Sequence, residues 1–245
     1  MNDLSESQSQ PHAPTTPQLV YLWLCAVLVM SLLIADIVGV KLFKFSVGDL
    51  EIKHTCGMLS FPITFLLTDL INEYYGKKAA RRAVWMALAM GGLAFVVVNA
   101  ALAMPSWDVP FNVNRQSFED VFANSRIMYV ASLGAFLVGS LCDIAVFGWL
   151  KRLTKGRMVW LRATGSTVIS QAIDSFIVTW LAFSVGRALF PSGAAAMPMG
   201  EVLRTAATGY LLKFAIAVML TPAVYGGRLL LTRGLGMKPI PASQA

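Results

Sequence analysis

The sequence is divided into long apolar runs, and each run has the length of a helix that crosses a membrane. A hydrocarbon core about 30 Å thick needs about 20 consecutive apolar residues in a helix. Hydrophobic residues make up 56% of the 245 residues and charged residues 13%, whereas soluble domains have roughly 45 to 50% and 25%. We therefore predict an all-α, polytopic membrane protein. Its six transmembrane helices are predicted at about residues 19–43, 57–76, 83–104, 127–150, 163–189 and 205–231.

These spans define one domain with a tail at each end. Residues 1–18 are rich in Ser, Gln, Pro and Thr and contain no Lys or Arg, so they are predicted to be a disordered cytoplasmic tail rather than the basic start of a cleaved signal. Residues 19–232 form the predicted six-helix domain, and residues 233–245 a C-terminal cytoplasmic tail.

The distribution of Lys and Arg predicts the orientation in the membrane. Twelve of these residues follow the second, fourth and sixth predicted spans, and six lie in the opposite connections. Because basic residues concentrate on the cytoplasmic side, both termini are predicted to be cytoplasmic. The net charge of +7 is explained by this topology, with anionic lipid headgroups as a further partner.

Several classes of function are excluded or disfavoured by what the sequence lacks. The three cysteines have no C-x-x-C spacing and there are two histidines, so we predict no metal, no cofactor and no histidine-based catalysis. There is no P-loop and no nucleic-acid motif. An intramembrane aspartyl protease would need G-x-G-D, but Asp143 follows "GSLC" and Asp174 follows "SQAI". We therefore do not expect an enzyme.

Ionisable residues inside the apolar spans are the candidates for function. Each costs roughly 2.5 to 3.5 kcal/mol at a span centre on insertion scales, so such groups normally face a cavity or a partner. They are Asp36, Lys41, Asp69, Glu73, Asp143, Asp174 and Lys213.

Helical spacing places several of these residues on polar stripes. At about 100° per residue, Phe65, Asp69 and Asn72 share one face of the second span. Four spans carry such a stripe, and we expect the stripes to meet in a common interior. The predicted site residues are Phe65, Asp69, Asn72, Asp143, Gln171, Asp174, Tyr210 and Lys213.

Structural explanations for the same residues stay open. Lys213 could pair with Asp69 or Asp174 only to fix helix packing. Glu73 is expected at the interface beside Lys77 rather than at a ligand. Phe65 could be ordinary packing, and Asn72 and Gln171 could be hydrogen-bonding groups between helices.

A weak similarity between the two halves of the sequence, which we call the internal echo, suggests two three-helix pseudo-repeats. Asp36-Ile37 recurs as Asp143-Ile144, and Asp69 recurs as Asp174 at a similar offset. Halves of three spans would have opposite orientations, as in transporters with inverted repeats.

The segment "GMLSFPITFLLTDLINEYYGKKAARRAVW" resembles the signature of the queuosine precursor transporter family, also called the vitamin uptake transporter family. Its pattern is F-P-x-x-F-x-x-T-D followed by G-x-x-x-A-R. The segments "GSLCDIAVFGWLKR", "RATGSTVISQAIDSFIVTWLAF" and "TGYLLKFAIAVMLTPAVYG" are similar to the remaining polar segments of that family, in order. The resemblance covers about residues 20 to 232.

The resemblance implies an importer of 7-deazaguanine precursors of queuosine in the bacterial inner membrane. Such precursors are 7-cyano-7-deazaguanine and 7-aminomethyl-7-deazaguanine, and a related purine base is also compatible. The six-span plan is similar to the substrate-binding subunits of energy-coupling-factor importers, so a subunit that needs a partner ATPase module is the alternative. The resemblance leaves open whether the chain forms a homo-oligomer.

A guanine-like ligand suits the predicted residues. A carboxylate can accept two hydrogen bonds from the ring N–H and the exocyclic amine, a carboxamide can serve the O6 edge, and an aromatic ring can stack on the base. Asp174 with Gln171 is the first choice for the polar edge, and Phe65 for the platform. Asp69 is the second carboxylate, either at the ligand or as a proton carrier.

Overall fold

The computed structural model describes residues 14–47, 50–107, 109–123, 126–155, 159–189 and 196–241. Most of this part is helical. The elements are α1 (Thr16–Val38), β1 (Leu42–Val47), β2 (Leu50–Thr55), a 3₁₀ turn (Cys56–Leu59), α2 (Phe61–Ala103), α3 (Arg115–Phe122), α4 (Arg126–Leu153), α5 (Val159–Trp180), α6 (Gly186–Leu189) and α7 (Met199–Leu229), with π-helical turns at Leu181–Val185 and Leu230–Gly234.

Five helical segments within the described ranges are long and apolar enough to cross a membrane. They are Thr16–Val38, Cys56–Ala103, Arg115–Leu153, Thr164–Ala188 and Met199–Gly234. Their outward surfaces expose large apolar side chains such as Trp23, Val96 and Met219, which suits contact with lipid. The chain is therefore a multi-pass membrane protein, and two of the six predicted spans, 57–76 and 83–104, fall within the single segment of α2.

A β-hairpin was not expected in an all-α protein. Strands β1 and β2 pair antiparallel, from Leu42 opposite Thr55 to Val47 opposite Leu50. The first helix consequently ends at Val38, and not near residue 43 as predicted. The sequence contains a signal for this hairpin, because apolar and polar residues alternate on both sides of Gly48-Asp49, a pattern typical of paired strands.

The helix α2 is broken at Gly76, where φ is +82° and ψ is 171°. This backbone conformation is accessible to glycine and strained for residues with a side chain. The break separates residues 61–75 from residues 77–103. Ala80, Ala83, Val84 and Ala87 after the break are buried together with Leu28 of α1, so the second half packs back onto the bundle.

Side-chain hydrogen bonds identify the two ends of the bundle. At the end that carries the hairpin, which we call the hairpin end, Ser60 donates to the carbonyl of Ser31 (2.8 Å) and Tyr129 to that of Gly91 (3.0 Å). At the opposite end, the Gly76 end, Tyr75 donates to the carbonyl of Pro17 (2.7 Å).

These contacts give the direction of α2. Residues 60 and 91 lie at the hairpin end, while the turn between them lies at the Gly76 end, where Tyr21 donates to the carbonyl of Ala79 (3.0 Å). The two halves of α2 therefore run in opposite directions.

The predicted tails are partly described. Helix α1 begins at Thr16, inside the predicted N-terminal tail, and residues 1–13 lie outside the described residues. Near the C-terminus, the backbone N–H of Ile240 donates to the carbonyl of Glu73 (2.9 Å). The described part of the C-terminal segment thus contacts the Gly76 end of the bundle.

Candidate functional site

A large cavity lies at the hairpin end, and we call it the hairpin cavity. It is lined by the ends of α1, α4, α5 and α7 and by the hairpin, and its empty volume is about 1180 Å³ including the part open to solvent. Its ionisable lining residues are Asp36, His54, Tyr129, Asp174 and Lys213. The cavity is large enough for a small organic ligand.

A second cavity, the Gly76-side cavity, lies between the first half of α2, α5 and α7. Its empty volume is about 540 Å³ including the part open to solvent, and four predicted site residues line it: Phe65, Asp69, Gln171 and Lys213. The ring of Phe65 packs edge-on against Phe61, with ring centroids 5.5 Å apart. The aromatic, carboxylate and carboxamide groups of the prediction therefore meet at one place.

The two cavities meet at Lys213. Met58, Phe61 and Lys213 line both of them. The Lys213 ammonium forms an ion pair with Oδ2 of Asp174 and lies 5.2 Å from the centroid of the Phe61 ring. Both members of the pair are nearly inaccessible, with 8% exposure for Lys213 and 1% for Asp174. A charged pair and an aromatic ring thus stand at the boundary.

One carboxylate oxygen of Asp174 has unused hydrogen-bonding capacity. Its Oδ1 is buried and has no hydrogen-bond partner among the described residues, and the same holds for Oγ of the neighbouring Ser175. Both residues line the hairpin cavity. Helix α4 approaches closely here, because a Cβ atom built on Gly139 would lie 3.2 Å from Cβ of Asp174. Buried polar atoms normally have partners, so a ligand group is a natural partner for these two atoms.

His54 enters the hairpin cavity from β2. Its Nδ1 accepts a hydrogen bond from the backbone N–H of Thr55 (2.8 Å). Its Nε2 approaches Gly209, where an added Cβ would lie 3.2 Å away, so a side chain at position 209 would crowd the imidazole. Burial, followed by the nearby charge of Lys213, lowers the pKa of His54 to about 4. The imidazole is therefore neutral at physiological pH.

Three predicted site residues line neither cavity. Asp143 accepts a hydrogen bond from Ser170 (3.1 Å), and Asn72 donates to the carbonyl of Ile144 (3.3 Å). The ring of Tyr210 packs near Phe214, with centroids 6.3 Å apart. The contacts of Asp143 and Asn72 join helices, whereas that of Tyr210 lies within α7, and a role of these residues at a ligand stays a prediction.

The structure adds a carboxylate that sequence reasoning had not assigned to the site. Asp36 lines the hairpin cavity, and its Oδ1 accepts a hydrogen bond from Ser132 of α4 (2.7 Å). Ser132 carried no signal in the sequence. Asp36 was recognised as a costly intramembrane charge, but the first span offered no polar stripe to connect it with the others.

Glu73 has a different environment from the expected one. It is 5% exposed, and its Oε2 lies 2.9 Å from Nζ of Lys151, which is also buried. Arg228 lies at 3.9 Å from the other carboxylate oxygen. Glu73 is therefore buried against Lys151 in the last turn of α4, whereas it was expected at the interface beside Lys77.

The site combines charged, polar and aromatic groups but not the elements of a metal centre. In the described ranges, no cluster of three or more His, Cys, Asp or Glu side chains is suited to a metal ion. The two cavities at opposite sides of one buried ion pair are suited to the passage of a small polar ligand through the bundle.

Comparisons with known proteins agree with that geometry. Residues 55–227 match the model of the family described as "Putative vitamin uptake transporter". The chain is 30% identical over 176 residues to the "Probable queuosine precursor transporter" of Bacillus subtilis (strain 168), covering 71% of each chain. It is also 30% identical over 142 residues to the "Queuosine precursor transporter" of Escherichia coli (strain K12), covering 58% of this chain and 61% of that protein.

No solved structure matches the chain at a significant level. The names of the family and of these relatives describe transporters, not enzymes. The family match begins at Thr55, the last residue of β2, and extends through most of α7, and so contains both members of the Asp174–Lys213 pair. This chain belongs to the vitamin uptake transporter family.

Proposed function

We propose that this protein imports 7-deazaguanine precursors of queuosine across the bacterial inner membrane by secondary or facilitated transport. Its relatives are named as queuosine precursor transporters, which supports a queuosine precursor as the ligand. The observation that carries the proposal is the buried Asp174–Lys213 pair at the boundary between two cavities that extend toward opposite ends of the bundle. A ligand that competes for this pair could pass from one cavity to the other.

The ligand first meets Asp174 from the hairpin cavity. The free Oδ1 of Asp174 accepts a hydrogen bond from a ring N–H or an exocyclic amine, and the Ser175 hydroxyl can donate to a ring acceptor. Phe61, which lines both cavities, is placed to stack on the base. Once the ion pair opens, Asp69, Gln171 and Phe65 receive the base in the Gly76-side cavity.

The proposal includes six membrane crossings with both termini in the cytoplasm. It is supported by the reversal of α2 at Gly76, which lets residues 61–75 and 77–103 cross separately. At about 1.5 Å per residue, the first of these halves extends about 22 Å, and the preceding 3₁₀ turn lengthens it. Basic residues cluster at the Gly76 end, which accordingly faces the cytoplasm, and the hairpin cavity opens to the periplasm.

We also propose that α1–α2 and α4–α7 are two related halves of opposite orientation. The carboxylates of the internal echo occupy corresponding helices, Asp36 in α1 and Asp143 in α4, then Asp69 in α2 and Asp174 in α5. The plan would then be similar to that of energy-coupling-factor binding subunits.

Uptake into liposomes tests the function directly. Purified protein is reconstituted and given labelled 7-cyano-7-deazaguanine, without ATP and without any other protein, and empty liposomes serve as the control. We expect saturable uptake of the labelled ligand. Unlabelled 7-deazaguanines should inhibit this uptake, and adenine should not. Tight binding without uptake would instead favour a binding subunit that needs an ATPase module, and absence of both would overturn the proposal.

A further inference from the structure

Among the described residues, the carboxylate of Asp36 forms no ion pair with a positive side chain. Its Oδ1 is bound by the Ser132 hydroxyl, whereas its Oδ2 is buried and has no hydrogen-bond partner among the described residues. Asp36 lines the hairpin cavity, and a carboxylate held in place by one oxygen, with a second oxygen that has no described partner, is suited to receive a donor from a ligand.

The charges of the hairpin cavity point to the kind of donor. Its acidic lining residues are Asp36 and Asp174, and its lining base Lys213 pairs with Asp174. His54 is neutral, since its pKa is about 4. One cationic group on a ligand would balance the charge of Asp36, and charge-assisted hydrogen bonds are the stronger kind.

Helix α4 approaches both acids at positions that lie on one face. Ser132 contacts Asp36, and Gly139 contacts Asp174. These positions are seven residues apart, which is about two turns and about 10 Å along one helix face. The distance between these two α4 positions is comparable to the length of a bicyclic base with a one-carbon substituent and a hydrogen bond at either end.

We infer that Asp36, held by Ser132, forms a cation subsite that binds the ammonium group of an aminomethyl substituent while Asp174 binds the ring. The inference rests on the proposed function and adds a specificity-determining residue to it. Asp36 then distinguishes 7-aminomethyl-7-deazaguanine, which is cationic, from 7-cyano-7-deazaguanine, which is neutral. Asp174 and Phe61 contribute equally to both ligands.

The test compares the affinities of both ligands for purified wild-type and variant protein. Asp36→Asn preserves size and removes the charge, so affinity for the aminomethyl ligand should fall about 10- to 100-fold, as expected for the loss of a charged hydrogen bond. Affinity for the cyano ligand should change less than about twofold. Ser132→Ala should also lower the affinity for the aminomethyl ligand, but by a smaller factor. In this variant the Asp36 carboxylate keeps its charge and loses the hydrogen bond that holds it in place.

Ser140→Ala is the matched control, since Ser140 is a buried serine of the same helix that lines neither cavity. It should leave the ratio of the two affinities unchanged. If Asp36→Asn does not yield folded protein, the ratio measured with Ser132→Ala decides the matter. An equal loss of affinity for both ligands, or no loss of affinity for either, overturns the inference. In that case, binding of the ligands by the wild-type protein still supports the proposed function. Absence of binding by the wild-type protein overturns both.

Discussion

Lys151 and Glu73 form an ion pair inside the Gly76 end of the bundle, with Nζ 2.9 Å from Oε2. Lys151 Nζ is also 3.3 Å from the Glu73 carbonyl oxygen, to which it donates. One side chain therefore joins α4 to the last turn before the break in α2. The exposed fraction of Lys151 is only 2%.

Replacing Lys151 should destabilise the protein. Lys151→Met removes one member of a buried ion pair, which costs about 3 to 5 kcal/mol. The free energy of unfolding can be measured by denaturant titration in detergent micelles. Arg152→Met is the control, since this neighbouring side chain is exposed. Equal stability of the two variants would mean that the pair contributes little.

Gly76 should not tolerate a side chain. In Gly76→Ala the backbone at φ +82° becomes strained, at a cost of about 1 to 3 kcal/mol, and the new methyl group would lie 3.2 Å from Cδ1 of Ile240. Gly92→Ala in the same element is the control, because its Cβ would meet nothing within 4 Å. That variant should be more stable than wild type by about 0.5 to 1 kcal/mol. Melting temperatures of both variants check this contrast.

The membrane character and most helices were predictable because they depend on local composition. Apolar runs of sufficient length have one stable form in lipid, so the elements near 127–150, 163–189 and 205–231 were recognised within several residues. The hairpin was missed because its strands are short and adjoin an apolar span, which concealed the alternation around Gly48-Asp49.

The candidate site was predictable only where helical spacing groups polar residues on one face. Phe65 and Asp69, which share one face of α2, line one cavity. Asp36 and Ser132 come from different helices and 96 positions apart, so their pairing depends on tertiary packing. The inward turn of Lys151 likewise has no local signal, because a lysine after an apolar span normally faces water.

The topology can be tested at both ends of α2. A reporter that is active only in the cytoplasm should work after Lys155 and at the C-terminus and fail after Asn114, because basic residues concentrate on the cytoplasmic side. In addition, single cysteines at Ser46 and Val113, introduced after replacement of Cys25, Cys56 and Cys142, should both react with a reagent that cannot cross the membrane. Reaction of only one would mean that α2 crosses the membrane once.

Neutral His54 should make stability depend on pH. The pKa of His54 is about 4 in the folded state and about 6.5 in an unfolded chain, so the unfolded state binds more protons between these values. Stability therefore falls as pH falls through this range. His54→Asn retains an acceptor near the Thr55 N–H and does not titrate. The loss of melting temperature from pH 7 to pH 5 should be smaller in this variant than in wild type, and an identical loss would exclude His54 as a cause.

Asp174 should be required for ligand affinity in the protein that remains folded, in addition to any loss of stability caused by breaking its buried ion pair. In Asp174→Asn the side chain keeps its size but loses the charge that binds Lys213, and one acceptor is replaced by a donor. A mismatched hydrogen bond at the ligand costs about 1 to 3 kcal/mol, which is about 5- to 150-fold in affinity. A binding titration on the folded fraction measures this loss.

Asp120→Asn serves as the control for Asp174→Asn, because Asp120 is an exposed acid of α3 that lines neither cavity. Asp69→Asn, measured beside it, distinguishes two roles: if Asp69 carries protons, transport should fail while binding persists. If the Asp174–Lys213 pair has a purely structural role, Asp174→Asn should lower the melting temperature and leave the ligand affinity of the folded protein unchanged. Wild-type affinity of folded Asp174→Asn protein would therefore remove Asp174 from the ligand site and leave the ion pair as a packing element.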